Sequence, residues 1–261
     1  MTREFLNSKK PFVIALVGKG GAGKTLISTL MTKIISEKYN LKLLLIDADP
    51  THPHLCNMVD LTPRRSLEEI RTATIDETIK NKESKLNIAK KLDFEIYDAM
   101  GESKKFCILS IGQPTDPGCF CPSNLLLKSV LKSITTEFDI ILIDCEAGLE
   151  QITRKVIDNI DVLLIVSDIS MRSIETANSI KKVAQKLIKF QEVGLILNKV
   201  KGDIDGLVQR VNQIDLPIVG KVPYENLITD LELDSVPLIH ISNESKALQA
   251  IEKLTDDILQ N

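Results

Sequence analysis

The sequence contains no tryptophan and few other aromatic residues, with three Tyr and seven Phe among 261 residues. Proteins that bind single-stranded nucleic acid stack bases on aromatic side chains, so such a platform is not expected here. The formal net charge of −3 gives no general attraction to nucleic acid or to anionic lipid. We therefore expect no nucleic-acid partner and no membrane partner.

Long apolar segments are missing as well. The early apolar run FVIALV at 12–17 ends at Gly18, and is too short for a membrane span or for the hydrophobic region of a secretory signal. We expect a cytoplasmic protein, whose five cysteines should stay reduced. In that compartment spaced cysteines indicate metal or redox chemistry more often than structural disulfides.

Short β-branched runs alternate with helical patterns along the chain, which predicts right-handed βαβ crossovers. The expected fold is α/β, a doubly wound, mainly parallel sheet of about seven or eight strands with helices on both faces. The predicted strands are 12–17, 42–46, 106–111, 139–143, 161–166, 193–198 and 217–221. The predicted helices are 24–38, 123–136, 150–158, 171–189, 204–213 and 244–258.

The chain is predicted to form a single domain over 1–261, because no stretch rich in Gly, Pro or Ser divides it. The segment 60–91 is highly charged and weakly patterned. We interpret it as an insertion of short surface helices, with a lid or a docking surface as the alternative.

The stretch GKGGAGKT at 18–25 follows the first predicted strand and opens the first helix. Its glycines satisfy the dinucleotide pattern G-x-G-x-x-G and also the P-loop pattern. Lys24 and Thr25 favour the P-loop. They supply a cation for the β- and γ-phosphates and a hydroxyl for Mg²⁺, and a dinucleotide-binding turn needs neither. The nucleotide-binding residues predicted here are Gly18, Lys19, Gly20, Gly21, Ala22, Gly23, Lys24, Thr25 and Leu26.

Lys19, directly after the first glycine, is the unusual residue of this loop. Taken alone it reads as a solvated lysine, but KGGAGKT resembles the deviant Walker A motif of the MinD, ParA and nitrogenase-iron-protein superfamily. The resemblance implies an ATP-hydrolysing homodimer, in which Lys19 reaches the partner's nucleotide and stabilises phosphoryl charge as an arginine finger does.

Two carboxylate-bearing strand ends resemble the rest of that superfamily's hydrolysis site. In LLLIDADP, Asp47 and Asp49 lie two residues apart and start from the same face of a strand. The resemblance to the first switch implies that Asp49 polarises the attacking water and that Asp47 supports Mg²⁺. DIILIDCEAG resembles the Walker B strand and second switch, with Asp144 in the Mg²⁺ shell and Gly148 near the γ-phosphate. Lys19, Lys24 and Asp49 are the expected catalytic residues.

A base pocket is expected from two later strand ends. LILNKV places Asn198 where its amide can pair with an adenine edge, followed by Lys199. KVPYEN at 221–226 can complete the pocket through backbone groups at Val222 and Pro223. Each signal is weak alone, because a strand-end Asn is usually a turn or cap residue.

The stretch DPGCFCPSN places Cys119 and Cys121 one residue apart. In an extended loop both thiolates point the same way, but two ligands leave a tetrahedral ion half bound. The same pair from a second subunit would complete a four-thiolate site on a two-fold axis. Zn²⁺, Ni²⁺, Cu⁺ and an iron–sulfur cluster are all chemically admissible there.

The segments around these thiols and around DCEAG resemble the CooC/AcsF group, the ATPases that mature carbon monoxide dehydrogenase and acetyl-CoA synthase by inserting nickel. The resemblance implies an ATP-dependent metallochaperone that holds Ni²⁺ (or Zn²⁺) at Cys119 and Cys121 and delivers it to such a client. Two alternatives stay open, namely an ATP-gated electron-transfer protein with an interface four-iron cluster, and a MinD- or ParA-like positioning ATPase. Two features argue against the positioning ATPase. The C-terminal helix has an acidic polar face, which does not favour anionic lipid, and the lysines Lys182, Lys186 and Lys189 are typical of the solvated side of a helix rather than of a DNA-binding surface.

Further thiol and imidazole groups flank the two switches. His52, His54 and Cys56 alternate just after the first switch, and we interpret them as solvent-facing residues rather than as a second metal site. Considered singly, however, a lone cysteine such as Cys56 or Cys107 is expected to behave as a small hydrophobic residue. Cys145 occupies the second switch, where it could join an interface cluster.

Overall fold

A computed structural model describes residues 11–49, 54–73, 85–113, 132, 134–145 and 159–260 of the chain. Within these ranges one sheet contains the strands β1 Phe12–Gly18, β2 Leu43–Ala48, β3 Gly101–Glu102, β4 Phe106–Ser110, β5 Ile140–Cys145, β6 Asn159–Ser167, β7 Lys189–Val200 and β8 Ile218–Pro223. Their order across the sheet is β3-β4-β2-β5-β1-β6-β7-β8. All neighbouring pairs are parallel except the short edge strand β3, which runs antiparallel to β4. The predicted mainly parallel α/β fold is confirmed.

Helices cover both faces of the sheet. Along β1, Ile14 and Leu16 pack in the core that contains helices α1 (Lys24–Lys38) and α7 (Lys246–Gln260), whereas Val13 and Ala15 pack in the core that contains helix α4 (Met171–Leu187). Such strands, buried on both faces, read as continuous apolar runs in the sequence. The helices are α1 Lys24–Lys38, α2 His54–Met58, α3 Lys85–Ala99, α4 Met171–Leu187, α5 Asp205–Val211, α6 Asn226–Leu233 and α7 Lys246–Gln260. Residues 67–73 are also helical, and Asn212–Ile214 and Leu238–His240 form short 3₁₀ turns.

The charged segment 60–91 is not confined to the surface, which corrects the prediction. Leu67 and Ile70 are at most 2% exposed and join the same core as Ile96 of α3. Two apolar residues at spacing i, i+3 give an otherwise charged helix one buried face, and this local period is easily missed in a short window. The predicted helix at 150–158 and most of the one at 123–136 lie outside the described residues.

The sheet has a topological switch point at the carboxyl end of β1. Strands β5, β2 and β4 lie on one side of β1, and strands β6, β7 and β8 lie on the other. In open parallel sheets ligands bind in the crevice at such a point. The loop that begins at Gly18 leaves β1 there and leads into α1. In the described ranges, none of the helices has the length and apolar character that crossing a bilayer requires.

Candidate nucleotide-binding site

The loop between β1 and α1 makes close contacts at two positions that only glycine allows. Gly18 has φ +156°, and a Cβ there would lie 2.2 Å from the carbonyl oxygen of Val166 on β6. Gly23, the N-cap of α1, has φ +95°, and a Cβ there would lie 2.1 Å from Nδ2 of Asn198. Within the part of the chain that the structure describes, no side chain caps this helix start, and such an N-terminus favours anions such as phosphate.

Lys24 lies under the loop rather than in solvent. Its side chain is nearly buried, and Nζ donates a hydrogen bond to the carbonyl oxygen of Lys19 at 3.3 Å. The N–H of Ala22 donates to the same carbonyl at 3.2 Å. The loop therefore curls around the ammonium group that the sequence predicts to contact the β- and γ-phosphates.

Asp47 and Asp144 face each other across the neighbouring strands β2 and β5. They are partners in the parallel register, and with Leu45 and Leu142 they belong to the α1 side of the sheet. Asp47 is 0% and Asp144 is 3% exposed. Burial raises the pKa of Asp47 to about 7, and the charge of Asp144 adds to the rise. Burial likewise raises the pKa of Asp144 to about 6, although the Thr25 hydroxyl and the Lys24 ammonium group oppose the rise.

These residues fit the Mg²⁺ ion that a P-loop implies. Oδ1 of Asp144 is buried without a hydrogen-bond partner among the described residues. Oδ1 of Asp47 accepts the backbone N–H of Asp49 at 3.0 Å. Mg²⁺ prefers oxygen ligands and uses one or two carboxylates together with substrate phosphates. Asp144 and Thr25 would hold the ion, Asp47 would support it, and the ion would neutralise phosphate charge.

Asn198 and Lys199, predicted for the base pocket, both bond to the phosphate loop. Nδ2 of Asn198 donates to the carbonyl oxygen of Ala22 at 2.8 Å, and Oδ1 accepts the backbone N–H of Lys199 at 2.9 Å. Nζ of Lys199 donates to the carbonyl oxygen of Gly21 at 3.1 Å. An adenine contact by the Asn198 amide stays a prediction.

The remaining predicted base-pocket residues lie at the carboxyl end of the adjacent strand β8. Val222 is buried, so it can offer only backbone groups, and Pro223 pairs with Val200 of β7. The next residue, Tyr224, was not singled out from the sequence. Its half-exposed ring lies 3.3 Å from Nζ of Lys201 at the ring centroid. Lys201 directly follows β7 and Tyr224 directly follows β8. Aligning these two neighbouring strands in the sequence would have predicted that the cation and the aromatic ring lie close together.

Lys19 is exposed at the tip of the loop. Asp168, which directly follows β6, interacts electrostatically with the Lys19 ammonium group. Burial opposes ionisation of this carboxyl, but hydrogen bonds from Ser170 and Ser173 and the charge of Lys19 lower its pKa. No sequence motif marks Asp168, because a single acidic residue after a strand forms no recognisable pattern.

Two thiol predictions require correction. Cys56 is 5% exposed and does not face solvent, because its Sγ lies 3.9 Å from Oδ2 of Asp47, whereas His54 is exposed. Cys145 is 1% exposed in the core opposite Asp144, which leaves no surface for an interface cluster. Burial raises the pKa of the Cys145 thiol far above its usual range. The predicted positions His52, Cys119, Cys121 and Gly148 lie outside the described residues.

A parallel sheet, a glycine loop closed around a buried lysine and two acids in register beside it define a P-loop nucleotide-binding protein. The chain belongs to the CobQ/CobB/MinD/ParA nucleotide-binding domain family, whose profile matches residues 13–238.

Three known proteins illustrate the relationship. The uncharacterized ATP-binding protein MJ0685 of Methanocaldococcus jannaschii is 31% identical, over 95% of this chain and 98% of its own length. The carbon monoxide dehydrogenase accessory protein CooC of Rhodospirillum rubrum is 27% identical, over 82% of this chain and 84% of its own. The septum site-determining protein MinD of Pyrococcus horikoshii, solved with Mg-ADP, superposes with a TM-score of 0.60 at 22% identity, over 95% of this chain and 96% of that one. The last shows the fold.

Proposed function

We propose that this chain is an ATP-hydrolysing, homodimeric metallochaperone that carries Ni²⁺ at Cys119 and Cys121 and delivers it to an enzyme of the carbon monoxide dehydrogenase or acetyl-CoA synthase kind. The observation that carries the proposal is a Cys-x-Cys pair in a chain similar to CooC over most of its length. The geometry of the nucleotide site supports the ATPase part, because a buried lysine lies at the phosphate loop beside a buried carboxylate, one oxygen of which has no hydrogen-bond partner among the described residues.

Each part of the site has a role in this proposal. Lys24 and the loop amides bind the phosphates, and Thr25 and Asp144 hold Mg²⁺. Asp49 orients the attacking water, while Lys19 stabilises charge on the partner's nucleotide. ATP would favour the closed dimer and so bring two Cys-x-Cys pairs together, whereas hydrolysis would release that constraint and change the affinity for Ni²⁺ or for the client.

An anaerobic Ni²⁺ titration with and without Mg-ATP, followed by sizing, tests the proposal. We expect about one Ni²⁺ per dimer for a shared four-thiolate site. Cys119→Ser/Cys121→Ser should lose this binding and keep ATP binding. Cys107→Ser is the matched control, since Cys107 is a half-buried thiol on β4 and should leave nickel binding unchanged.

Three outcomes would contradict the nickel assignment. Unchanged nickel affinity in the double variant would show that the thiols do not bind the metal. A brown protein with reducible cluster absorbance would indicate the electron-transfer alternative. ATP-dependent recruitment to lipid or DNA, with the double variant fully active, would indicate a positioning ATPase.

A further inference from the structure

We propose that Asn198 and Lys199 are positioning residues that hold the phosphate loop in its nucleotide-binding shape through the carbonyl groups of Gly21 and Ala22. This role differs from the base contact expected from the sequence. It depends on the nucleotide site alone, so its failure would leave the nickel proposal untouched, and the reverse also holds.

The Asn198 side chain is fixed at both ends of its amide. It is 2% exposed, Nδ2 donates to the Ala22 carbonyl at 2.8 Å, and Oδ1 accepts the Lys199 N–H at 2.9 Å. A buried amide with both ends bonded has a single favourable orientation, and removing it leaves the buried partner groups unsatisfied. The absence of a side chain at Gly23 leaves the space that this amide occupies.

Lys199 adopts a backbone conformation that normally requires glycine. Its φ is +56°, in the left-handed region that residues with a Cβ rarely occupy. This backbone turn lets the side chain run back to the loop, where Nζ bonds the Gly21 carbonyl at 3.1 Å. Strained residues persist where the surroundings determine them and are concentrated at functional sites. Here the strained residue makes a direct contact with the phosphate loop.

The two contacts set the direction of two peptide units. In a trans peptide the C=O and the following N–H point in opposite directions. Because Asn198 holds the Ala22 carbonyl, the N–H of Gly23 points away from β7. The peptide after Gly21 is held at both ends, by Lys199 at its carbonyl and by the Lys19 carbonyl at the N–H of Ala22. The end of β7 thus fixes the loop before any phosphate arrives, which reduces the entropy lost on binding.

Competition against a fluorescent ATP analogue tests this role with two ligands, ATP and inorganic tripolyphosphate. Lys199→Met keeps the aliphatic stem and removes the ammonium group, so we expect about threefold weaker binding of both ligands, and Asn198→Ala about tenfold. Lys199→Arg should restore most of the affinity. Lys189→Met is the control, because Lys189 is exposed at the opposite end of the same strand.

The two ligands separate loop positioning from base recognition. Equal losses for ATP and tripolyphosphate support the proposal. A loss for ATP alone would assign these residues to the adenine pocket and overturn it, and so would unchanged binding of both ligands by Lys199→Met. That variant alters an exposed side chain, so the test does not depend on whether Asn198→Ala folds. Failure of the unchanged chain to bind either ligand would contradict the nucleotide site itself.

Discussion

The phosphate loop is flanked by two pairs of polar residues, and the pairs differ in how many of their polar atoms have hydrogen-bond partners. On one side, Asp47 and Asp144 are buried with raised pKa values, and one oxygen of Asp144 has no partner among the described residues. On the other side, Asn198 and Lys199 bond the loop itself at 2.8 and 3.1 Å. We call these the acid side and the amide side. The acid side has the properties of a ligand site, whereas the amide side has those of a support.

This difference predicts opposite responses to substitution. Burial disfavours the charged form of Asp144, and the Lys24 ammonium group and the Thr25 hydroxyl offset this only in part, so neutralising the carboxylate should weaken the ligand-free fold little. A buried amide that is hydrogen-bonded at both its nitrogen and its oxygen stabilises the fold, and removing it leaves its partners unsatisfied. A substitution on the acid side should therefore weaken nucleotide binding with little effect on the stability of the fold. A substitution on the amide side should lower both.

Gly23→Ala should have the largest effect, because it breaks the amide side. The new Cβ would lie 2.1 Å from Nδ2 of Asn198, at φ +95°. We expect a loss of roughly 2–4 kcal/mol in the free energy of unfolding, measured by chemical denaturation, together with weaker ATP binding. Gly20→Ala is the control, since nothing lies within 4 Å of a Cβ there. Equal stability of the two variants would show that Asn198 can move without cost.

Asp144→Asn tests the acid side and should separate binding from stability. Without ligand, the variant should be as stable as the unchanged protein or slightly more so, because a neutral amide replaces a buried charge. Its Mg²⁺-dependent gain in ATP affinity should fall at least about tenfold. Calorimetric titration with and without Mg²⁺ measures this gain.

Asp161→Asn is the matched control for that experiment. Its carboxylate accepts the backbone N–H of Val13 at 2.8 Å and Nε2 of Gln191 at 2.6 Å, so it is satisfied by the protein. This variant should lose stability and keep the Mg²⁺ effect. If Asp144→Asn behaved in the same way, the acid side would be structural.

Sequence patterns predicted which residues meet at the loop better than they predicted how those residues bond. Asp47, Asp144 and Asn198 each lie near the carboxyl end of an apolar strand, and such ends converge at one edge of a parallel sheet, so their proximity could be inferred. The sequence nevertheless assigned Asn198 to the adenine base and not to the loop. The left-handed turn of Lys199 and the inward thiol of Cys56 could not, because both depend on contacts between distant parts of the chain. Most of helix α3 was not predicted for a related reason. Its buried face is defined by packing in the same core as residues 67–73, and this contact cannot be read from the local sequence of the helix.

The stability of the ligand-free protein should fall as pH rises through the range set by Asp47. Burial raises the pKa of this carboxyl from 3.8 to about 7 in the folded chain. The folded state therefore binds its proton more tightly than the unfolded state between about pH 4 and pH 7, so stability declines across that window. The decline should be on the order of a few kcal/mol at most. Burial also raises the pKa of Asp144 to about 6, so this carboxyl adds to the decline at the lower end of the window. Asp47→Asn should therefore make the curve shallower, most clearly between about pH 6 and pH 7. A curve that remained equally steep would assign the decline to other groups.

The smallest expected effect comes from Cys56, whose Sγ lies 3.9 Å from Oδ2 of Asp47. A thiol is a weak donor, so Cys56→Ala should change the free energy of unfolding by roughly 1 kcal/mol. Cys56→Ser offers a stronger donor to the same carboxylate, which favours the charged form and should lower the pKa of Asp47. The pH at which stability declines should then move down in the Ser variant and not in the Ala variant. Identical pH curves for both would show that the thiol only fills space beside the acid side.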